Sequence, residues 1–261
     1  MHGADVHSSR GAFELTPPAP NIRAILLDIE GTTTPIAFVQ QVLFPYARAR
    51  VREYLQQHAT NPGVLADIAA LRAEHAAEPA TESGLPAWNP SDEQRSAEAY
   101  VYWLMDRDRK STGLKSLQGR IWEVGYLSGE LQGKGEVYPD VRPAFVRWRR
   151  NGILIAIFSS GSILAQRNLF ANTSVGDLSP FLYDYFDTKT GPKRESSSYR
   201  VIAAALHQSP SDVLFVSDVT AELDAAREAG MSTVLCLRGS DAPVTTNGGG
   251  HTRIRSFDEL A

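Results

Sequence analysis

The chain has 261 residues; 43% are hydrophobic, 26 are Lys or Arg and 30 are Asp or Glu. That length can bury a sizeable core as one domain or two, and a formal net charge of -4 supplies no basic field for a nucleic-acid partner. No apolar run is long enough for a membrane-crossing helix, and the single cysteine, Cys236, leaves no internal disulfide framework. Cys236 falls in S-T-V-L-C-L and reads as an inert strand residue rather than a reactive thiol.

Residues 1–20 are rich in polar residues, Gly and Pro, end in P-P-A-P and carry no lysine-led hydrophobic signal segment. They read as a loose tail on a cytoplasmic protein. The stretch 22–33, I-R-A-I-L-L-D-I-E-G-T-T, then organises the chain. Apolar residues without strict alternation mark a central strand of a parallel sheet, covered on both faces. Such a strand delivers Asp28 to the carboxyl end of the sheet, where α/β folds place ligands. Gly31 permits a sharp exit, and Glu30 shares the side of Asp28 if the extension persists. The competing reading is a capped turn with two solvated acids, against which stands the cost of an aspartate set inside an apolar run.

Helical spacing follows over residues 38–57, with Val39, Val42, Leu43, Tyr46 and Val51 on one side and Pro45 as a kink or internal boundary. Asn61-Pro62 starts a helix in which Leu65, Ile68, Ala69 and Leu71 continue the pattern. After a turn-rich linker over 79–90, residues 91–109 read as a helix with Ala97, Tyr100, Val101 and Leu104 inward. Another covers 117–131 and carries Ile121, Trp122 and Leu127. Beyond residue 135 the pattern changes to strands alternating with helices. Strands are predicted at 153–158, 183–186, 213–216 and 233–237, and helices at 141–150, 162–170, 195–206 and 222–229. Residues 245–251 read as a glycine-rich loop.

The economical architecture is one α/β parallel-sheet core, residues 21–35 and 135–261, interrupted by a helical insertion over 36–134. Leaving from the carboxyl end of the first strand, the insertion would sit over the site as a cap; a separate helical domain is the alternative. Three strand ends carry polar groups: Asp28 with Glu30, Ser159 with Ser160, and Asp218. Lys193 lies in the loop-to-helix stretch G-P-K-R-E-S. Carboxylates converging in one crevice repel each other, and a hard dication such as Mg²⁺ resolves the conflict. The six histidines are scattered, so no zinc site is indicated. Serine hydroxyls, helix-start N–H groups, a lysine and Mg²⁺ make a phosphoryl site, in which an aspartate can be nucleophile or ligand. Neither G-x-x-x-x-G-K-[ST] nor a G-x-G-x-x-G after the first strand is present.

These motifs, in this order, resemble the haloacid dehalogenase superfamily in its phosphatase branch. D-I-E-G-T (28–32) is similar to the motif of a nucleophilic aspartate and a second acid, and I-A-I-F-S-S to the strand ending in the phosphate-binding serine. Lys193 with Tyr199 is similar to the lysine motif and its later aromatic, although the motif's usual prolines do not follow the lysine. D-V-T-A-E-L-D-A-A-R-E-A-G (218–230) is similar to the metal-binding acid motif, with Glu222 where Asp is commoner. The Glu30 variant, L-Q-G-R-I-W-E-V-G-Y (117–126), V-Y-P-D-V (137–141) and F-S-S-G-S (158–162) resemble the enolase-phosphatase subgroup.

The resemblance implies a Rossmann-like core with an inserted helical cap. It implies Asp28 as nucleophile, Glu30 as general acid, and Lys193 as neutraliser of the phosphate and of Asp28. Ser159, Ser160 and Lys193 would bind substrate, with Trp122, Glu123 and Tyr126 shaping the pocket. One Mg²⁺ per site would be held by Asp28, Glu30, Asp218 and Glu222, with Glu30 acting by side chain or backbone carbonyl and Glu222 directly or at one remove. The implied reaction is enolisation and dephosphorylation of 2,3-diketo-5-methylthiopentyl-1-phosphate in methionine salvage, by a cytoplasmic monomer with neither nucleic acid nor membrane as partner.

Overall fold

The computed structural model describes residues 21–79, 81–239 and 249–260. At its centre lies β1 (Ala24–Leu27), in a parallel sheet with β2 (Leu154–Phe158), β3 (Asp184–Phe186), β4 (Val213–Ser217), β5 (Ser232–Cys236) and β6 (Thr252–Ile254). The strand order is β3-β2-β1-β4-β5-β6. All four residues of β1 are buried because each face of the sheet is covered. Ile25 and Leu27 pack with α6 (Val141–Arg150) and α7 (Ile163–Ala171), through Phe145, Trp148 and Phe170. Ala24 and Leu26 pack on the other side with α8 (Ser196–Ala205) and α9 (Thr220–Glu228), through Tyr199, Ile202 and Leu223.

Register places the site. Leu27 pairs with Ile157 on one side and Val216 on the other. The next residues, Asp28, Phe158 and Ser217, therefore end their strands at one level. The Asp28 N–H still donates to the Val216 carbonyl, at 3.0 Å. Beyond it, Gly31 takes φ +71°, in the left-handed region, and the loop closes with the Gly31 N–H on the Thr34 carbonyl at 2.9 Å.

Between β1 and α6 the described residues form helices: α1 (Ile36–Phe38), a π-helical turn (Val39–Leu43), α2 (Phe44–Gln57), α3 (Pro62–Ala77), α4 (Glu93–Asp106) and α5 (Thr112–Leu127). The kink or boundary expected at Pro45 falls where the π turn passes into α2, with the backbone helical through Leu43 and Phe44. Asn61, Asp92 and Ser111 cap α3, α4 and α5 through side-chain oxygens. The Ser111 cap explains why α5 begins at Thr112 and not at 117. Three residues expected inward face out: Leu65, 49% exposed, Ala69, and Leu127, 83% exposed. The buried stripe of α3 runs through Val64, Ile68 and Leu71, which leaves Leu65 one step off it. Leu127 is the last residue of α5, one position past the buried Tyr126.

Helix α5 is the pivot of this helical block, and glycines let its neighbours approach. A Cβ at Gly119 would stand 2.7 Å from Ser162 Oγ, at the start of α7 on the core. A Cβ at Gly113 would stand 2.8 Å from the Leu71 side chain of α3. At the other end of the chain, the three-residue β6 lies beyond the predicted loop and matches no sequence expectation, because its register comes from pairing with β5 rather than from any local pattern. Of the predicted glycine-rich loop, 245–248 lie outside the described residues; Gly249 and Gly250 form a turn, and His251 is buried with its ring nitrogens at Thr233 and Asp224. The expected N-terminal tail, 1–20, also lies outside them. Cys236 is buried in β5, which pushes its thiol up to about 12. Gly119→Val should destabilise the fold by about 1–3 kcal/mol through overpacking at the α5–α7 contact, read as a lowered denaturation midpoint.

Candidate active site

The cluster at the strand ends is built around Asp28. Its Oδ1 accepts from the Ile29 N–H at 2.7 Å and lies 2.8 Å from Lys193 Nζ. Its Oδ2 lies 3.2 Å from the Ser217 hydroxyl, which also stands 3.3 Å from Glu222 Oε2. Lys193 completes a bridge, with Nζ 2.6 Å from Glu222 Oε2. Asp28 and Lys193 are both buried. The lysine is held there by the first turn of α8: the Tyr199 hydroxyl donates to the Lys193 carbonyl and the Ser198 hydroxyl to the Pro192 carbonyl, each at 2.7 Å. The later aromatic of the lysine motif thus anchors the backbone of the lysine.

Asp218 follows Ser217 at the end of β4 and leans over the loop after Asp28. A Cβ on Gly31 would overlap its carboxylate, so only glycine fits beneath it. No ion pair holds Asp218 among the described residues. Burial, and then the Asp28 charge, push its carboxyl up to about 6. Burial and Asp28 likewise raise Glu222. For Lys193, burial works against the charged form, but the Asp28 and Glu222 charges outweigh it and raise the ammonium. One lysine therefore faces Asp28, Asp218 and Glu222, and the cluster is short of positive charge.

The remaining predicted residues line a neighbouring cavity of about 520 Å³. Its walls include Glu30, Ser159, Ser160 and Trp122, whereas Asp28, Lys193, Asp218 and Glu222 lie outside them. Glu30 is exposed towards this space, yet burial and the Asp28 charge raise its carboxyl. Ser159 is buried; its Oγ accepts from the Gly161 N–H at 3.2 Å. The Trp122 indole N–H is spent on the Leu43 carbonyl at 2.8 Å, and its ring stacks on Phe44 with centroids 6.3 Å apart. Trp122 thus offers the cavity a face and no donor. Tyr126 is also a wall, and Glu123 is not.

Lys115 and Gln118 are among the wall residues that the sequence did not single out as site residues. With Trp122 and Tyr126 they make the sequence 115, 118, 122, 126 along α5, one helical stripe. The spacing was visible, but a stripe of mixed polarity does not look like a core face.

Burial first, and then the Asp28 charge, make the ionised Asp218 a cost to the fold. A carboxyl pushed from its ordinary 3.8 up to about 6 costs stability above pH 6, costs less as pH falls, and costs nothing below pH 4. In protein kept free of divalent cations, Asp218→Asn should raise the melting temperature at pH 7, with the gain vanishing near pH 4.

Comparison with known proteins places this geometry. The profile of the haloacid dehalogenase-like hydrolases matches residues 22–230. The chain is 56% identical over 244 residues to "Enolase-phosphatase E1" of Synechococcus elongatus, covering 93% of this chain and 100% of that protein. It is 43% identical over 240 residues to the protein of the same name from Pseudomonas aeruginosa, covering 92% and 98%. Among solved structures, the UTR4 protein of Saccharomyces cerevisiae superposes with a TM-score of 0.69 at 33% identity, covering 92% of this chain and 100% of that one. A dehalogenase at 17% identity and TM-score 0.51 shares the fold. With that identity sustained from the first strand to the last, the chain belongs to the haloacid dehalogenase-like hydrolases and, among them, to the enolase-phosphatase E1 family.

Proposed function

We propose that the protein is a Mg²⁺-dependent enolase-phosphatase, which enolises 2,3-diketo-5-methylthiopentyl-1-phosphate and hydrolyses its phosphate ester to an acireductone in methionine salvage. The relatives' shared name supports this reading. The observation that carries it is Asp28, buried at a strand end with Lys193 at 2.8 Å and with Asp218, which no ion pair holds among the described residues, alongside.

The donor set fits a hard dication. Asp28 and Asp218 are carboxylates whose repulsion a cation would relieve, and Gly31 keeps the space between them open. The described residues hold no ready cluster of three side-chain ligands, so backbone oxygen and water would complete the shell, with the Glu30 carbonyl as the candidate. Glu222 is turned to Lys193 at 2.6 Å, which favours a role holding that lysine over direct ligation. Bound there, Mg²⁺ would neutralise charge on the phosphoryl oxygens and on the enolate.

The chain's own residues do the rest. Asp28 attacks phosphorus to form an aspartyl-phosphate, which water then hydrolyses. Lys193 holds the phosphoryl oxygens and the Asp28 charge, and Ser159 and Ser160 bind the phosphate and substrate. Glu30, raised by burial and by Asp28, is suited to carry a proton to the leaving oxygen and to take one from water afterwards. It is also our choice for the enolising base. Trp122 lends an aromatic wall to the methylthio end. Residues 36–134 act as a cap that excludes water from the site. The same proposal takes the protein as a cytoplasmic monomer acting on a small phosphorylated molecule, with neither nucleic acid nor membrane as partner. Among the described residues no helix is long and apolar enough to cross a membrane.

Asp28→Asn should abolish phosphate release while the circular dichroism shows the fold intact; retained turnover would exclude the covalent mechanism. With the diketone phosphate, enol absorbance should precede phosphate release, and both should require Mg²⁺. Phosphate released from a broad sugar-phosphate panel, with no enol from the diketone, would point to a plain phosphatase.

A further inference from the structure

The cavity carries more cationic side chains than the phosphoryl chemistry uses. Arg48, Arg109, Lys110 and Lys115 all line it. Arg48 is spent on Asp106 at 2.8 Å and Arg109 on Glu78 at 2.8 Å. Lys110 is exposed on the loop before α5. Lys115 differs from all three. It is half-buried on α5, and no hydrogen bond or ion pair holds its ammonium among the described residues. Its charged neighbours are Lys110, Asp187 and Glu30. Asp187 is already occupied, with Oδ1 accepting from the Lys189 N–H at 2.8 Å and Oδ2 from the Ile163 N–H at 3.4 Å. Burial, and then Lys110, work against its charge. A lysine kept in this position without a partner is poised for an anionic or strongly polarised oxygen brought in by a ligand.

Its place on the helix says which oxygen. Along the stripe 115, 118, 122, 126 the wall changes from ammonium to amide to two aromatic rings. Tyr126 is 7% exposed, and its hydroxyl has no partner among the described residues. The charged end of the stripe lies near Glu30 and the aromatic end lies away, beside Phe44 and Leu43. The phosphate already has Lys193 and the serines. The polar group left for Lys115 is the carbonyl function next to the phosphate-bearing carbon.

We propose that Lys115 holds the ketone oxygen on which the enolate charge develops, with Gln118 beside it as a neutral donor to the adjacent ketone. This rests on the enolase-phosphatase reading. The C–H bond at the phosphate-bearing carbon breaks, and its electron pair becomes the C=C bond. The carbonyl π pair moves onto the oxygen that Lys115 faces. The proton passes to the Glu30 carboxylate and from there to that oxygen, giving the enol with no atom or electron gained or lost.

The test uses the full chain with Mg²⁺ and follows enol absorbance and phosphate separately, for wild type, Lys115→Met and Lys115→Arg. A second substrate, p-nitrophenyl phosphate, has no carbonyl to enolise. Lys115→Met should slow enol formation by about a hundredfold, the usual effect of removing one oxyanion donor. Hydrolysis of p-nitrophenyl phosphate should fall far less, and Lys115→Arg should recover part of the enolisation. Wild-type enolisation in Lys115→Met overturns the inference and leaves the proposed function standing. An equal loss on both substrates also overturns it, by assigning Lys115 to folding or to phosphate binding. A wild-type protein that forms no enol from the diketone overturns the function and the inference together.

Discussion

The bridge that Lys193 makes between Asp28 and Glu222, at 2.8 and 2.6 Å, is the constraint on which the strand-end cluster depends. Buried carboxylates are costly without a partner, and removing one member of such a group leaves the others uncompensated. Three separate segments meet at the bridge: the end of β1, the loop before α8 and the first turn of α9. Tyr199 and Ser198 hold the lysine's backbone while the parallel register of β1 and β4 holds Asp28 against Ser217. The fold thus ends its central strand β1 on one buried carboxylate. The charge left over is on Asp218, which no ion pair holds among the described residues.

A second network ties the loop after Asp28 to distant parts of the chain. Arg238, just after β5, donates from Nε to the Thr32 carbonyl at 2.9 Å and pairs through Nη1 with Asp140 at 2.6 Å. Asp140 also accepts from the Phe257 N–H and from the Ser256 hydroxyl. The Tyr138 N–H donates to the Thr33 carbonyl at 3.0 Å. The V-Y-P-D-V segment is therefore a structural clamp on the turn that follows Asp28. Its carboxylate is buried with its partners supplied by the fold, unlike Asp218.

Helix α5 relates the helical block to the core. One side approaches α7 at Gly119, where no side chain fits, and the stripe from Lys115 to Tyr126 faces the cavity. The same helix thereby sets how close the block comes and what chemistry it presents. The apolar residues of the block and of one sheet face form a single continuous core, so docking of the block and shaping of the cavity are one packing problem.

Much of this was legible in the chain. Continuous apolar runs ending in Asp28, Ser159 and Asp218 marked the central parallel strands, because burial on both faces removes the alternation that an open sheet would show. The change from helical spacing to alternating strands and helices near residue 135 marked where the sheet resumes. Local chemistry placed the caps and stops, as with Asn61 and Asn151-Gly152. What sequence could not decide were matters of partnership. The edge strand β6 exists because β5 pairs with it, and Leu127 faces out because the helix ends there. Sequence names Glu222 beside Asp218 but not the Lys193 ammonium 2.6 Å from it, and it does not show that Asp187, near Lys115, already accepts from two backbone N–H groups. The residue types and their order along the strands are written in the sequence. Which charge faces which, and which is left without a partner, is a property of distances between remote segments, and only the folded chain sets those.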